Sequence, residues 1–237
     1  MADPFLLRAL NAAFYRASGG EKRPPFFDID VTYPALRVLD RHRDEIRAEM
    51  LPLLADRQHL PKYHEVDQQQ ASISGQGDKA WRVFMLKWLA GGVEANRARC
   101  PRTAALIDQV PGVISAFFSV LEPGKSVPAH DGPYLGYLRY HLALKVPAND
   151  PPSIRIKDRV HTWVEGGSIL FDDSWNHEVI NRSDDIRVVL IVDVLRPMRW
   201  PYHVVNWLAL RMLGPMSDEA RRAASNIRKY SGAGLTS

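Results

Sequence analysis

Four features of the sequence put ionisable groups where short strands would otherwise carry apolar ones. His130-Asp131-Gly132 stands just before a strand pattern, and Arg139 with His141, two positions apart, shares one face of that strand. His177 follows Phe171-Asp172-Asp173-Ser174-Trp175-Asn176, and Arg187 opens an otherwise apolar run ten positions later. Any one of these residues also reads as an ordinary polar side chain; the information lies in their arrangement. Two histidines on separate strands of one β architecture offer imidazole nitrogen to a metal such as iron(II), with coordination positions left open for oxygen. An arginine on a neighbouring strand can meet a carboxylate through two parallel charge-assisted hydrogen bonds, which suits a dicarboxylate.

The elements that must position these groups are short. From about Val113 the chain runs in β-branched and aromatic stretches over 114–121, 137–146, 153–156, 159–164, 168–171, 177–180 and 187–195, separated by turns such as Glu122-Pro123-Gly124 and Glu165-Gly166-Gly167. Closely spaced short strands favour a sandwich or jelly roll over a parallel α/β sheet, so an all-β core is expected. Upstream, Leu36, Leu39, Ile46, Met50 and Leu53 recur at helical spacing and predict a helix on the flank of the core. The polar stretch 67–79 reads as a loop leading into the apolar segment 81–89. The chain divides into an N-terminal arm (1–25, with a short helix before Gly19 and Gly20), a jelly-roll domain with a helical flank (26–200) and a basic helical tail (201–237).

The chain has 237 residues, 46% of them hydrophobic and 24% charged, which allows a full core and argues against disorder or a membrane bundle. With one cysteine, Cys100, neither an intramolecular disulfide nor a cysteine-based zinc site can form. The formal charge of +4 is a mild excess compatible with anionic substrates or lipid surfaces; no nucleic-acid partner is expected. Asp3 and Arg8 interrupt any secretory signal, and the apolar run 204–213 is too short to span a bilayer, so a cytoplasmic protein is expected.

The blocks His130-Asp131-Gly132-Pro133, Leu138-Arg139-Tyr140-His141-Leu142-Ala143-Leu144, Phe171 to Val179, and Ile186-Arg187 to Val194 together resemble the aspartyl/asparaginyl β-hydroxylase family, over roughly residues 78–200. A second layer is similar to the lipid A acyl-chain hydroxylases of that family: Trp81-Arg82-Val83-Phe84, Cys100-Pro101-Arg102-Thr103 and Arg196-Pro197-Met198-Arg199-Trp200. The resemblance implies a double-stranded β-helix and oxidative decarboxylation of 2-oxoglutarate by iron(II) and O2, coupled to hydroxylation of an unactivated carbon. It implies His130 and His177 as iron ligands and Arg187 as partner of the distal carboxylate of 2-oxoglutarate. Ser119 and His141 would be further cosubstrate contacts, and Arg139 would face substrate or cosubstrate as a catalytic or binding residue. Trp163, Phe118 and Trp175 stand as pocket walls or as ordinary core aromatics.

The lipid A hydroxylases resemble a His-x-Asp pattern at the first block, whereas this chain has Gly132 there, as the aspartyl branch does. In an extended segment residue 132 shares the face of His130 and residue 131 points away, so a two-histidine site with water in the vacancy is expected. A bulge over 130–132 would instead bring Asp131 to the metal. Three readings of function stand: hydroxylation of a fatty acyl or lipid substrate, the first choice; hydroxylation of an aspartyl or asparaginyl residue or related small molecule; and a non-catalytic jelly-roll binder. Val204, Trp207, Leu208 and Arg211 would share one face of a helix over 204–213, with Arg196 and Arg199 close by. That face either packs on the jelly roll or meets the inner membrane surface as a peripheral contact.

Overall fold

The computed structural model describes residues 4–232, so residues 1–3 of the arm and 233–237 of the tail lie outside the described residues. The strands are β1 (Phe26–Phe27), β2 (Trp81–Lys87), β3 (Val113–Leu121), β4 (Val127–His130), β5 (Tyr137–Lys145), β6 (Ser153–Ile156), β7 (Arg159–Thr162), β8 (Ser168–Phe171), β9 (His177–Ile180) and β10 (Arg187–Leu195). They pair antiparallel into a six-stranded sheet of order β1-β8-β5-β10-β3-β2 and a four-stranded sheet of order β4-β9-β6-β7. This is the expected all-β double-stranded β-helix, flanked by helices at both ends.

β10 runs through the middle of the larger sheet, with Val189 opposite Ser119 of β3 and Ala143 of β5. All nine of its residues are buried. Both faces of the sheet are covered, which is why its sequence is a continuous apolar run without alternation. On the outer face Phe118, Val120, Leu142, Leu190 and Val192 pack with Leu36, Leu39, Ile46, Met50 and Leu53. These last lie on the predicted flank, which forms as Arg37–Arg41 and Arg43–Ala55 after a 3-10 turn, Pro34–Leu36. Burying each such side chain contributes roughly 1.5–3 kcal/mol. On the inner face Phe117, Leu121, Ala143, Val189 and Ile191 pack against Ile154, Ile156 and Val179 of the smaller sheet. Strand alternation therefore sends Arg139, His141, Ser119, Arg187 and Asp193 between the sheets and Phe118 towards the helices.

Three expectations are corrected. The stretch 67–79 is not all loop: it holds a 3-10 turn, Gln68–Gln70, and a short helix, Ala71–Ser74, because Ile73 packs into the inner core. His130 stands ahead of β5 not in a loop but at the end of a strand of its own, β4, whose apolar content is too small to show in the sequence. Phe118 is no pocket wall; it stacks on Phe84 beneath the helical flank, with ring centroids 6.4 Å apart. The helix of the arm, Pro4–Ala17, packs on the core through the fully buried Phe14, whose ring meets Tyr134 edge-on at 5.9 Å. Asn11 clamps the neighbouring loop, donating to the Pro133 carbonyl (2.9 Å) and accepting from the Leu135 amide (3.0 Å). After Pro197 the chain is helical over Tyr202–Leu208, continues as a π-turn over Ala209–Leu213, and ends in the helix Asp218–Gly232.

Candidate active site

His130 and His177 face each other directly across β4 and β9, with ring centroids 4.1 Å apart. His130 Nδ1 is 2.9 Å from the Pro128 carbonyl and His177 Nδ1 is 2.8 Å from the Trp175 carbonyl. A carbonyl only accepts, so Nδ1 of each ring carries a proton, and in the neutral form the Nε2 lone pair is left for a metal. Burial, reinforced by the neighbouring His177, pushes the His130 pKa down and favours this neutral form. The turn before His177 is braced by Asp172, which accepts from the Ser174 amide and is paired in the interior with Arg23 (3.0 Å) and Arg196.

A carboxylate also approaches this pair, and it is not Asp131. Asp131 is exposed and accepts from Asn176 Nδ2 at 2.9 Å. Asp173 is buried, with Oδ1 3.4 Å from His177 Nε2. It takes the place of a side chain at position 132: the Gly132 amide donates to the Asp173 carbonyl at 3.0 Å, and a Cβ on Gly132 would lie 2.3 Å from Asp173 Oδ2. Burial opposes ionisation of Asp173, but Arg139, His177 and the Tyr137 hydroxyl outweigh it and hold its pKa below the usual carboxylate value. Arg139 donates from Nη1 to Asp173 Oδ1 (2.7 Å) and forks onto Asp193 at 2.7 and 3.0 Å; Ser115 Oγ donates to Asp193 Oδ2 at 2.7 Å. All three guanidinium nitrogens of Arg139 are thus engaged with carboxylates of the protein. Among the described residues no group of three or more His, Cys, Asp or Glu converges as a metal cage.

Deeper between the sheets lies a second constellation. Arg187 is 2% exposed, and among the described residues it has no carboxylate partner and its Nε has no hydrogen bond. Its guanidinium stands over the Trp163 ring at 4.1 Å, and burial pulls its pKa down to about 9. His141 is buried beside it, stacked on Trp163 at 5.9 Å, and neither of its ring nitrogens has a partner. Burial, with Arg187 and Arg139 nearby, holds the His141 pKa well below 6.5, so the imidazole is neutral. Ser119 Oγ, fully buried, accepts from Trp81 Nε1 at 2.9 Å. A buried cation and a buried imidazole with open hydrogen-bonding positions are costly when left alone. They fit an anionic ligand with several acceptor oxygens. The edge of Phe171 connects the two constellations, 4.9 Å from His141 and 6.3 Å from His177. Trp163 is therefore a wall of this interior site, while Trp175 lies at its edge beneath Arg23 (4.1 Å) and Lys157 (3.9 Å).

The six residues singled out in the sequence fall into two neighbouring groups: His130, His177 and Arg139 around Asp173, and Arg187, His141 and Ser119 around Trp163. Asp173, Asp193 and Tyr137 were not singled out. Asp193 carried a visible signal, an acid inside the apolar run of β10; Asp173 carried none beyond its place before His177. A cavity of about 580 Å³ opens onto His130, Asp173 and Arg139 and continues between apolar side chains of the N-terminal helix and the Ala209–Leu213 turn. Arg187, His141 and Ser119 do not line it; they lie behind it in the core.

Two antiparallel sheets, with a histidine pair on the smaller one and, among the described residues, an arginine without a carboxylate partner between them, make a double-stranded β-helix with a candidate ligand site. The chain belongs to the aspartyl/asparaginyl β-hydroxylase family, a family of hydroxylases, whose sequence profile matches residues 40–197. It is 38% identical over 190 residues to an ornithine lipid ester-linked acyl 2-hydroxylase of Rhizobium tropici, covering 80% of this chain and 66% of that protein. It is 30% identical over 198 residues to the human aspartyl/asparaginyl β-hydroxylase, covering 80% of this chain and 25% of that one. The chain thus spans less than two thirds of the Rhizobium protein and a quarter of the human one. A Pseudomonas putida prolyl-4-hydroxylase structure superposes with a TM-score of 0.46 at 18% identity, over 65% of this chain and 88% of that one.

Proposed function

We propose that this protein is an iron(II)- and 2-oxoglutarate-dependent hydroxylase that acts on the acyl chain of a lipid. The observation that carries the reading is Arg187, a buried cation without a carboxylate partner among the described residues, beside a neutral His141 with both nitrogens open. Arg187 would hold the distal carboxylate of 2-oxoglutarate through its guanidinium fork, with His141 and Ser119 as further hydrogen-bonding partners. His130 and His177 would hold iron(II) through Nε2, their rings oriented by the Pro128 and Trp175 carbonyls. Iron(II) with 2-oxoglutarate and O2 supplies an oxidant able to take hydrogen from an unactivated carbon. The chain's own tasks are to place the target carbon near the histidine pair and to keep water out. Arg139 acts as a positioning residue: it holds Asp173 beside His177 and ties it to Asp193.

The acyl substrate is favoured by the apolar end of the cavity, where Leu6, Leu7, Leu10, Leu89 and Leu210 make a wall suited to a hydrocarbon chain. The name of the Rhizobium relative, an acyl 2-hydroxylase, agrees with it. Gly132, shared with the aspartyl branch, and the name of the human relative favour an aspartyl side chain as the second reading. Anaerobic titration with iron(II) and 2-oxoglutarate, followed by succinate release on admitting O2, separates the two. Succinate coupled to a hydroxylated acyl lipid is expected; coupling only to an aspartyl peptide would replace the lipid, and no iron-dependent succinate with any substrate would end the proposal.

A further inference from the structure

The two chain segments that wall the apolar end of the cavity have a second face, and it is turned to solvent. In the N-terminal helix Leu6, Leu7 and Leu10 line the cavity while Phe5 and Arg8 are exposed. After β10, Asn206 is fully buried and bonded to the Gly136 carbonyl (2.7 Å) and the Tyr134 hydroxyl (2.7 Å), which locks the helix Tyr202–Leu208 to the core. Ala209, Leu210 and Gly214 line the cavity, whereas Val204, Trp207, Leu208 and Met212 remain 40–59% exposed. Trp200 is 81% and Met216 67% exposed. The rim of an apolar cavity is therefore itself apolar and aromatic on its outer side.

Charge decides what such a rim can meet. Residues 4–20 and 196–217 contain no aspartate or glutamate. They carry the exposed arginines Arg8, Arg16, Arg199 and Arg211, none of which has a carboxylate partner among the described residues. Arg211 lies over the Trp207 ring at 5.5 Å, a pairing of cation and indole suited to a headgroup boundary. No helix among the described residues is long and apolar enough to cross a membrane, so the contact is one that lies on the surface. Resting on the acyl reading above, we propose that the N-terminal helix and the 200–216 segment form a docking face for an anionic bilayer. Phe5, Trp207, Leu208 and Met212 enter the interface, the arginines meet lipid phosphates, and an acyl chain passes between Leu10 and Leu210 towards the polar end of the cavity at His130.

Co-sedimentation of the full chain with vesicles tests this. Binding to phosphatidylcholine vesicles containing about 30% phosphatidylglycerol is expected to exceed binding to pure phosphatidylcholine by at least roughly tenfold and to fall as salt is raised. Trp207→Ser with Met212→Ser should lower partitioning by about tenfold or more, since the inserted apolar area is lost. Arg8→Glu with Arg211→Glu should do the same by reversing charge while every apolar side chain of the rim is kept. Both pairs should keep wild-type succinate formation with a water-soluble short-chain acyl ester, and an unchanged circular dichroism spectrum shows that they fold. No vesicle binding by the wild-type chain, equal binding to neutral vesicles, or a dimer that buries Trp207 in its place would overturn the docking face. Short-chain turnover persisting in that case leaves the acyl-hydroxylase reading standing. Vesicle binding without turnover of any acyl substrate supports the docking face and fails that reading instead.

Discussion

Gly132 and Asp173 compete for one space: a Cβ on the glycine would sit 2.3 Å from Asp173 Oδ2, and the two backbones are joined at 3.0 Å from amide to carbonyl. The carboxylate nearest the histidine pair is present because residue 132 has no side chain. Gly132→Ala is expected to push Asp173 off His177 and off the Tyr137 hydroxyl. The overpacking should lower stability by roughly 1–3 kcal/mol and weaken iron(II) affinity at the same time. Chemical denaturation and anaerobic metal titration read the two effects separately. Unchanged values in both would mean that the loop yields freely and that Asp173 owes nothing to the glycine.

Asp131 and His177 make an opposed pair of tests. Asp131 is turned to solvent and bonded to Asn176, so Asp131→Ala should leave iron(II) affinity within about twofold, as for an exposed substitution. His177→Ala should abolish iron-dependent succinate formation with the fold retained, because loss of a metal ligand removes chemistry more than burial. A strong loss of affinity in the Asp131 variant would restore the bulged arrangement in which that carboxylate ligates.

Arg187 gives a stability signature that an ordinary core residue would not. With no ligand bound its charge is buried and, among the described residues, has no carboxylate partner, so Arg187→Met should stabilise the ligand-free chain by about 1–4 kcal/mol, the range for buried ionic groups replaced by apolar ones. Arg187→Lys should keep the fold and lose 2-oxoglutarate affinity, since a point charge cannot reproduce the fork. Thermal shifts with and without 2-oxoglutarate measure both. A wild-type chain that 2-oxoglutarate does not stabilise would take the cosubstrate away from this arginine.

His141 predicts a pH dependence. Its pKa in the folded chain lies well below the 6.5 of a free imidazole, chiefly through burial. Between those two values the unfolded chain binds a proton that the folded chain refuses. Its contribution is therefore fully present above pH 6.5 and is lost as pH falls below it, with a slope approaching about 1.4 kcal/mol per pH unit. His141→Phe should flatten the stability profile between pH 7 and pH 5. An identical slope in wild type and variant would assign the acid sensitivity to other groups.

The strands were legible because their signal is local. β6, β8, β9 and β10 lie at the residues that period and composition mark, and β3, β5 and β7 differ from the expected spans by one or two residues at an end. The inward placement of Arg139, His141 and Arg187 was equally readable, since it needs only strand alternation and a decision about which face is buried. The family blocks added the pairing of His130 with His177 across two strands remote in sequence.

Tertiary structure alone decided what those side chains meet. Arg139 looked free to bind substrate, but Asp173 and Asp193, 34 and 54 positions further along the chain, claim its nitrogens once the sheets close. In the sequence only Asp131 stands out as a carboxylate for the metal; the turn braced by Asp172 carries Asp173 inward instead and leaves Asp131 in water. The apolar end of the cavity is walled by residues from 6–10 and 209–214, each a modest helical pattern, which are tied to the 133–136 loop by Asn11 and Asn206. Periodicity records whether a residue is buried; it does not record its partner, because contacts between distant segments are set by how whole sheets and helices pack, and no local pattern carries that information.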